Sequence, residues 1–212
     1  FAHHVASGYS YLKTGNFKMN PASPPLPRLL AALPLLALNA QAPLDHPSWR
    51  SGDSPAFAKE FFYRANANAD ALIFWARVPI VLLSILFGFF VFHWTRTLFG
   101  NLAAVSSLIL YSFCPDILTH SGLATADLSV GLFFFLTLFC FWHYLKYPLK
   151  VWFILTGICA GLTFLSKFTA LLLLPILLLI GLFDRQTAAI APKKILGFLV
   201  ICFFTIWAGY FF

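Results

Sequence analysis

Long apolar runs recur along this chain, and no other feature limits its fold as strongly. Val78–Thr95, Leu102–Leu118, Leu128–Leu145, Val151–Ser166, Phe168–Phe183 and Ile195–Phe212 are each almost free of charge. Each is long enough to cross or nearly cross a bilayer core, which takes about 20 helical residues. Lys167 divides the fourth run from the fifth, and the last run is expected to be cut short at Phe212. Only 10% of the residues are charged and 60% are hydrophobic, against roughly 25% charged in a soluble domain. A soluble core could not enclose that much apolar surface. The expected fold class is therefore all-α, a polytopic integral membrane protein built as a helical bundle.

The first 76 residues read differently. Phe1, Val5, Tyr9 and Leu12 form one helical stripe that should end at Gly15. Pro21, Pro24, Pro25 and Pro27 punctuate the next stretch. Leu29–Leu38 is apolar but too short to span, so it is expected to be an interfacial or re-entrant helix. Residues 41–56 read as a loop, and Phe57–Trp75 as a polar-aromatic helix leading to Arg77 at the membrane boundary. Residues 1–76 are thus expected to form an outer loop segment, and residues 77–212 a transmembrane bundle of about six spans.

A net charge of +7 could suggest nucleic acid, but the cations are scattered between apolar runs, where they act as topology signals and headgroup contacts. No nucleic-acid partner is expected. Arg96, the pair Lys146 and Lys150, and the group Arg185, Lys193 and Lys194 fall on one face if every run crosses, and that face should be cytoplasmic. The segment 1–76, the turn from Asp116 to Asp127, and Lys167 then share the opposite face. Cys114, Cys140, Cys159 and Cys202 lie in or beside apolar runs without CxxC spacing and read as small buried hydrophobes.

Ionisable groups at membrane depth are candidates for function. Asp116, His120 and Asp127 lie where two runs meet the outer face. The plain alternative is a solvated turn in which Thr125 caps the next helix and Asp127 answers its dipole. His3 and His4 are adjacent, so they should not chelate one metal as a pair; one of them could be a single ligand or a hydrogen-bonding group. Arg28, Arg77 and Lys167 are cations at boundaries of apolar segments, suited either to a lipid phosphate or to snorkelling.

Three stretches carry a family resemblance. They are His4–Gly15 with Asn20–Leu26 and Ala31–Leu35, then Pro115–Asp127, then Gly157–Lys167. In this order they resemble glycosyltransferase family 39, the GT-C-type enzymes that include dolichyl-phosphate-mannose protein mannosyltransferases and bacterial lipid A aminoarabinose transferases. The resemblance implies a polyprenyl-phosphate-linked sugar as donor and a protein, lipid or glycan as acceptor. It implies transfer at the outer or periplasmic face, in bacteria that of the inner membrane, with inversion at the anomeric carbon. In such enzymes an acidic residue of the first outer loop is the general base, within an Asp-Glu pair shortly before the histidine matched by His4. The chain begins at Phe1, so that pair is expected upstream, on a fragment lacking both ends.

The resemblance assigns Asp127 to the second acidic position and places His4 beside the catalytic group. It matches Arg77 to a basic position at the outer end of a span and Lys167 to a lysine near the lipid-phosphate site; Arg28, Arg77 and Lys167 are expected at the donor phosphate, and Asp116 and His120 in support. Ala22 and Ser23 stand where many relatives carry Glu-His or Glu-Lys, so no tightly bound metal or other cofactor is expected. A weak divalent ion at the donor phosphate is compatible with that. The group types suit displacement of a lipid phosphate, which needs positive charge on the leaving group and a base near the acceptor. No Gly-rich nucleotide loop occurs. The competing readings are a transporter or flippase for a lipid-linked or anionic solute, and a non-catalytic assembly subunit. A transporter should show an internal repeat and broken midplane helices, and no convincing repeat is present.

Overall fold

The structure, a computed structural model, describes residues 1–183 and 192–211. Among these, all regular structure is helical and no strand occurs. The chain divides into two compact units, Phe1–Leu128 and Ser129–Phe212. This division reflects packing, whereas the division near residue 76 expected from the sequence concerns placement relative to a membrane.

In the first unit, α1 (Ala2–Thr14) ends where expected, with Gly15 in the left-handed region and its N–H bonded to Tyr11 O at 2.8 Å. Burial is wider than the stripe, because Val5 through Tyr11 are all enclosed. Helix α2 (Leu26–Ala37) packs across α1. The crossing is backbone to backbone: a Cβ on Gly8 would stand 2.2 Å from the Arg28 carbonyl oxygen. One face of α2 is buried through Leu29, Ala31, Ala32 and Leu35, while Leu33, Leu36 and Leu38 are exposed. The short α3 (Pro47–Ser51) and α4 (Ser54–Tyr63) come next. Asp53 caps α4 by accepting from Ala56 N at 3.1 Å, and α4 lays Phe57 and Phe61 into the core against α1.

The helix expected over Phe57–Trp75 is in fact two. The chain leaves α4 at Arg64 and starts α5 (Ala69–Phe99) under an Asn68 cap, whose side chain accepts from Ala71 N at 3.0 Å. Asn66 supplies the reason. Its Nδ2 donates to Phe61 O and Gln41 O, and its Oδ1 accepts from Gln41 N at 2.8 Å. These bonds offer the backbone an alternative to the helical ladder. Helix α5 then runs for 31 residues, about 46 Å. The run expected over Leu102–Leu118 is bent by 61° between α6 (Asn101–Ser112) and α7 (Pro115–Ser121). Pro115 opens α7 at a position where its missing N–H costs nothing.

The second unit holds most of α8 (Ala126–Lys146), then α9 (Lys150–Ser166), a 3-10 turn (Phe168–Leu172), α10 (Leu173–Phe183) and α11 (Pro192–Gly209). Helices α9 and α11 pack tightly because their contact is made of small residues. A Cβ on Gly157 would stand 2.7 Å from Ile201, and one on Gly161 would stand 2.5 Å from Thr205. Arg185, one of the expected topology cations, and Phe212, the expected end of the last run, lie outside the described residues.

Among the described residues, three helices, α5, α8 and α11, are long and apolar enough to cross a membrane, and the bent pair α6–α7 makes a fourth if it is one span. Helices α2 and α9 and the segment Phe168–Phe183 are apolar but shorter. The six apolar runs of the sequence are thus largely helical in their described residues, with a break at Phe113 and Cys114 and a turn after Gly209.

Candidate active site

The first unit gathers most of the expected polar residues, and Arg28 organises them. It lies in the first turn of α2, where Gly8 of α1 lets the two backbones meet. Its side chain is buried, at 2% exposure. The guanidinium donates from Nε to His4 Nδ1 at 3.1 Å, from Nη1 to Asn20 O at 2.8 Å and Ser23 O at 3.1 Å, and from Nη2 to Ser23 Oγ. Tyr11 Oη lies 3.4 Å from Nη1. The segment between α1 and α2 is therefore tied down by one side chain. Burial excludes snorkelling, and the donors that a lipid phosphate would need are directed at the protein's own acceptors.

This arrangement sets the state of His4. Arg28 Nε can only donate, so His4 Nδ1 accepts and the ring proton sits on Nε2. Burial, then the charges of His3 and Arg28, pull its pKa down to about 4. The imidazole is neutral at physiological pH and presents an N–H donor. Asp127 works in the opposite direction, raising the His4 pKa, so its carboxylate acts on that ring across space. The rings of His3 and His4 touch, with centroids 4.2 Å apart, although adjacent positions on a helix point apart.

Asp127 stands in the first turn of α8, half-buried, where the helix dipole favours a carboxylate. His120, from the last turn of α7, meets it: His120 Nδ1 lies 3.5 Å from Asp127 Oδ2 and 3.1 Å from Thr125 Oγ1. The turn between α7 and α8 thus closes on itself through these three side chains. Asp116 is exposed in the first turn of α7. Arg77 is exposed on α5, with its guanidinium carbon 5.3 Å from the centre of the Phe1 ring.

Lys167 belongs to the second unit. It ends α9 in an extended conformation and its carbonyl accepts from Ala170 N at 3.1 Å, so it marks the break before the 3-10 turn. Its side chain is half-buried. No group of three metal-ligating side chains occurs among the described residues, and Arg28 already occupies the Nδ1 of His4. The sequence did not single out Tyr11, Asn20 and Ser23 as partners of Arg28. The proline-rich spacing around Arg28 was the only signal that this segment folds back.

Long apolar helices, with ionisable side chains collected at helix ends and in a folded polar-aromatic segment, define an integral multi-pass membrane protein. Residues 66–209 match the family described as dolichyl-phosphate-mannose-protein mannosyltransferase. The chain belongs to that family and is a membrane glycosyltransferase of the GT-C type. The match includes Arg77, Asp116, His120, Asp127 and Lys167, while His4 and Arg28 precede it. No curated protein matches the chain. No solved structure matches it either.

Proposed function

We propose that this protein transfers a sugar from a polyprenyl-phosphate donor to a hydroxyl of a protein, lipid or glycan acceptor, at the outer or periplasmic face of its membrane and with inversion. The observation that carries this reading is the Asp127 carboxylate held against His120 while also acting on the neutral His4. In the reaction, the acceptor oxygen bonds to the anomeric carbon as the bond from that carbon to the phosphate oxygen breaks. The electron pair leaves with the polyprenyl monophosphate, and the acceptor proton passes to a carboxylate. Developing charge on the leaving phosphate needs fixed positive charge nearby. Arg77 and Lys167 are the candidates, since Arg28 is committed to internal acceptors.

In this reading Asp127 orients the acceptor or takes its proton, and the Nε2–H of His4 donates to a substrate oxygen. Asp116 and His120 support the turn. No tightly held metal or cofactor is required, and a divalent ion, if bound, would do so weakly at the donor phosphate.

The test uses the full-length enzyme in membranes with a radiolabelled polyprenyl-phosphate sugar. Asp127→Asn retains the dipole and capping character of its position. It should nonetheless lower transfer on the order of a hundredfold, the size expected for loss of an acid–base group, with normal membrane insertion. Near-wild-type transfer would remove Asp127 from the site. Arg77→Gln and Lys167→Gln should weaken use of the donor, seen as a raised KM for the polyprenyl-phosphate sugar.

A further inference from the structure

The second unit holds a cavity whose lining includes none of the residues assigned above to glycosyl transfer. It has a volume of about 250 Å³ and lies among the C-terminal part of α8, the N-terminal part of α9, α10 along its length and the start of α11. Phe141, Phe153, Leu177 and Phe198 form its walls. Leu178 and Leu199 also line it and are half exposed, so the cavity opens sideways between α10 and α11. Among its described lining residues the single charged one is Lys194, in the first turn of α11. The Lys194 ammonium lies 5.6 Å from the centre of the Tyr144 ring, another lining residue. This cation–π contact holds the charge at the cavity rather than free in solvent.

We propose that this cavity binds one anionic phospholipid of the surrounding bilayer, its phosphate on Lys194 and part of one acyl chain between the aromatic walls. Charge selects the occupant. A helix or a neutral chain laid on this surface would leave the Lys194 ammonium against apolar groups, whereas a phosphate satisfies it. Lys146, Lys150 and Lys193 lie at the same helix ends of this unit, so anionic headgroups are drawn there collectively. The volume suits part of a chain. It is below the ~300–1,000 Å³ that encloses a drug-sized ligand, and an acyl chain needs no complete enclosure because the bilayer solvates the remainder.

The experiment is native mass spectrometry of the full-length protein released from vesicles of phosphatidylcholine containing a minority of phosphatidylglycerol. The expected result is a single retained phosphatidylglycerol per chain, enriched over its share of the vesicle. Lys194→Ala should lower that retention about fivefold, the worth of one surface cation, whereas Lys194→Arg keeps it. Lys150→Ala, which removes a lysine that does not line the cavity, should cost clearly less than Lys194→Ala. Leu178→Trp, which fills the mouth without touching a charge, should abolish retention. Equal retention of both lipids would overturn the proposal, as would no retained lipid at all. Equal losses in Lys194→Ala and Lys150→Ala would do the same, because they would show surface charge without a site. Retention unchanged by Leu178→Trp would place the lipid elsewhere.

Discussion

The two units of this chain solve helix packing by different chemistry. In the first, the helices that precede α5 are joined by polar side chains that reach across long sequence separations. Arg28 binds His4, Asn20 and Ser23, Tyr9 Oη donates to Ala40 O at 2.5 Å, and Ser7 and Ser54 share a bond of 3.3 Å. Around these bonds lies an aromatic core of Tyr9, Tyr11, Phe57, Phe61 and Phe62. In the second, α9 and α11 meet through glycines, and hydroxyls mostly bond back to their own helix, as Thr156, Thr163 and Ser166 do. A segment outside the bilayer core can bury apolar rings against water and needs its polar groups paired. Helices in lipid gain little from hiding apolar surface and associate by close van der Waals contact. The polar interfaces of the helices before α5 fit the expectation that residues 1–76 pack outside the bilayer core, and the glycine contacts of α9 and α11 fit helices packed in lipid.

The sharpest way to break this comparison is at Arg28. Arg28→Met strands several partly buried acceptors at once and should cost about 3 kcal/mol of the first unit's stability. Limited proteolysis should then cut between Thr14 and Pro25 first. Arg28→Lys should fall well short of rescue, because a point ammonium cannot serve acceptors spread around a planar fork. Resistance to protease in Arg28→Met would mean that the clasp is incidental to the fold.

The next effect belongs to the second unit. Gly161→Leu forces α9 away from Thr205 and Cys202 of α11 and should destabilise by about 1–3 kcal/mol, the usual range for overpacking. Thermal unfolding in detergent would show it as a lowered Tm, with the protease pattern of the first unit unchanged. Gly161→Ala should show a smaller loss, and an unshifted Tm for both variants would refute close contact between α9 and α11.

A smaller loss is expected from Tyr9→Phe, which removes the donor to a buried carbonyl and should cost about 1–2 kcal/mol. The matching change in the second unit is Thr137→Val. It deletes the 3.4 Å contact with Thr163 between α8 and α9, and hydrogen bonds between membrane helices average about 0.6 kcal/mol. If Thr137→Val proved as costly as Tyr9→Phe, the contrast between polar and small-residue packing would fail.

The mildest probe is pH. His4 has its pKa lowered from 6.5 to about 4, so the unfolded chain binds a proton there more readily than the folded one. Its contribution to stability is therefore full above about 6.5 and declines as pH falls toward 4. Proteolysis rates measured across that window should rise on acidification, and His4→Gln should flatten the rise. A steeper dependence in His4→Gln would reverse the sign and contradict a neutral, half-buried imidazole.

Much of this was legible in the sequence because it depends on local spacing. Charge-poor runs specify helices and lipid as their solvent. Gly15 ends α1, and the positions of Asp127 and Lys167 at helix boundaries follow from where the apolar runs start and stop. What only the tertiary structure decided is non-local or depends on competition between neighbours. Arg28 looked like a boundary cation, yet its partner His4 is 24 positions away, and no periodicity reports a bond of that kind. The break before α5 rests on Asn66 reaching Gln41, 25 positions away. The bend at Pro115 and the open carboxylate–imidazole pair of Asp127 and His120 likewise depend on how α7 turns into α8. Apolar patterning sets which segments become helices, because burial and the backbone ladder act within each segment. Which polar side chains then meet is set by the crossing of those helices, as at Gly8 and Arg28, where the absence of one Cβ lets two backbones touch.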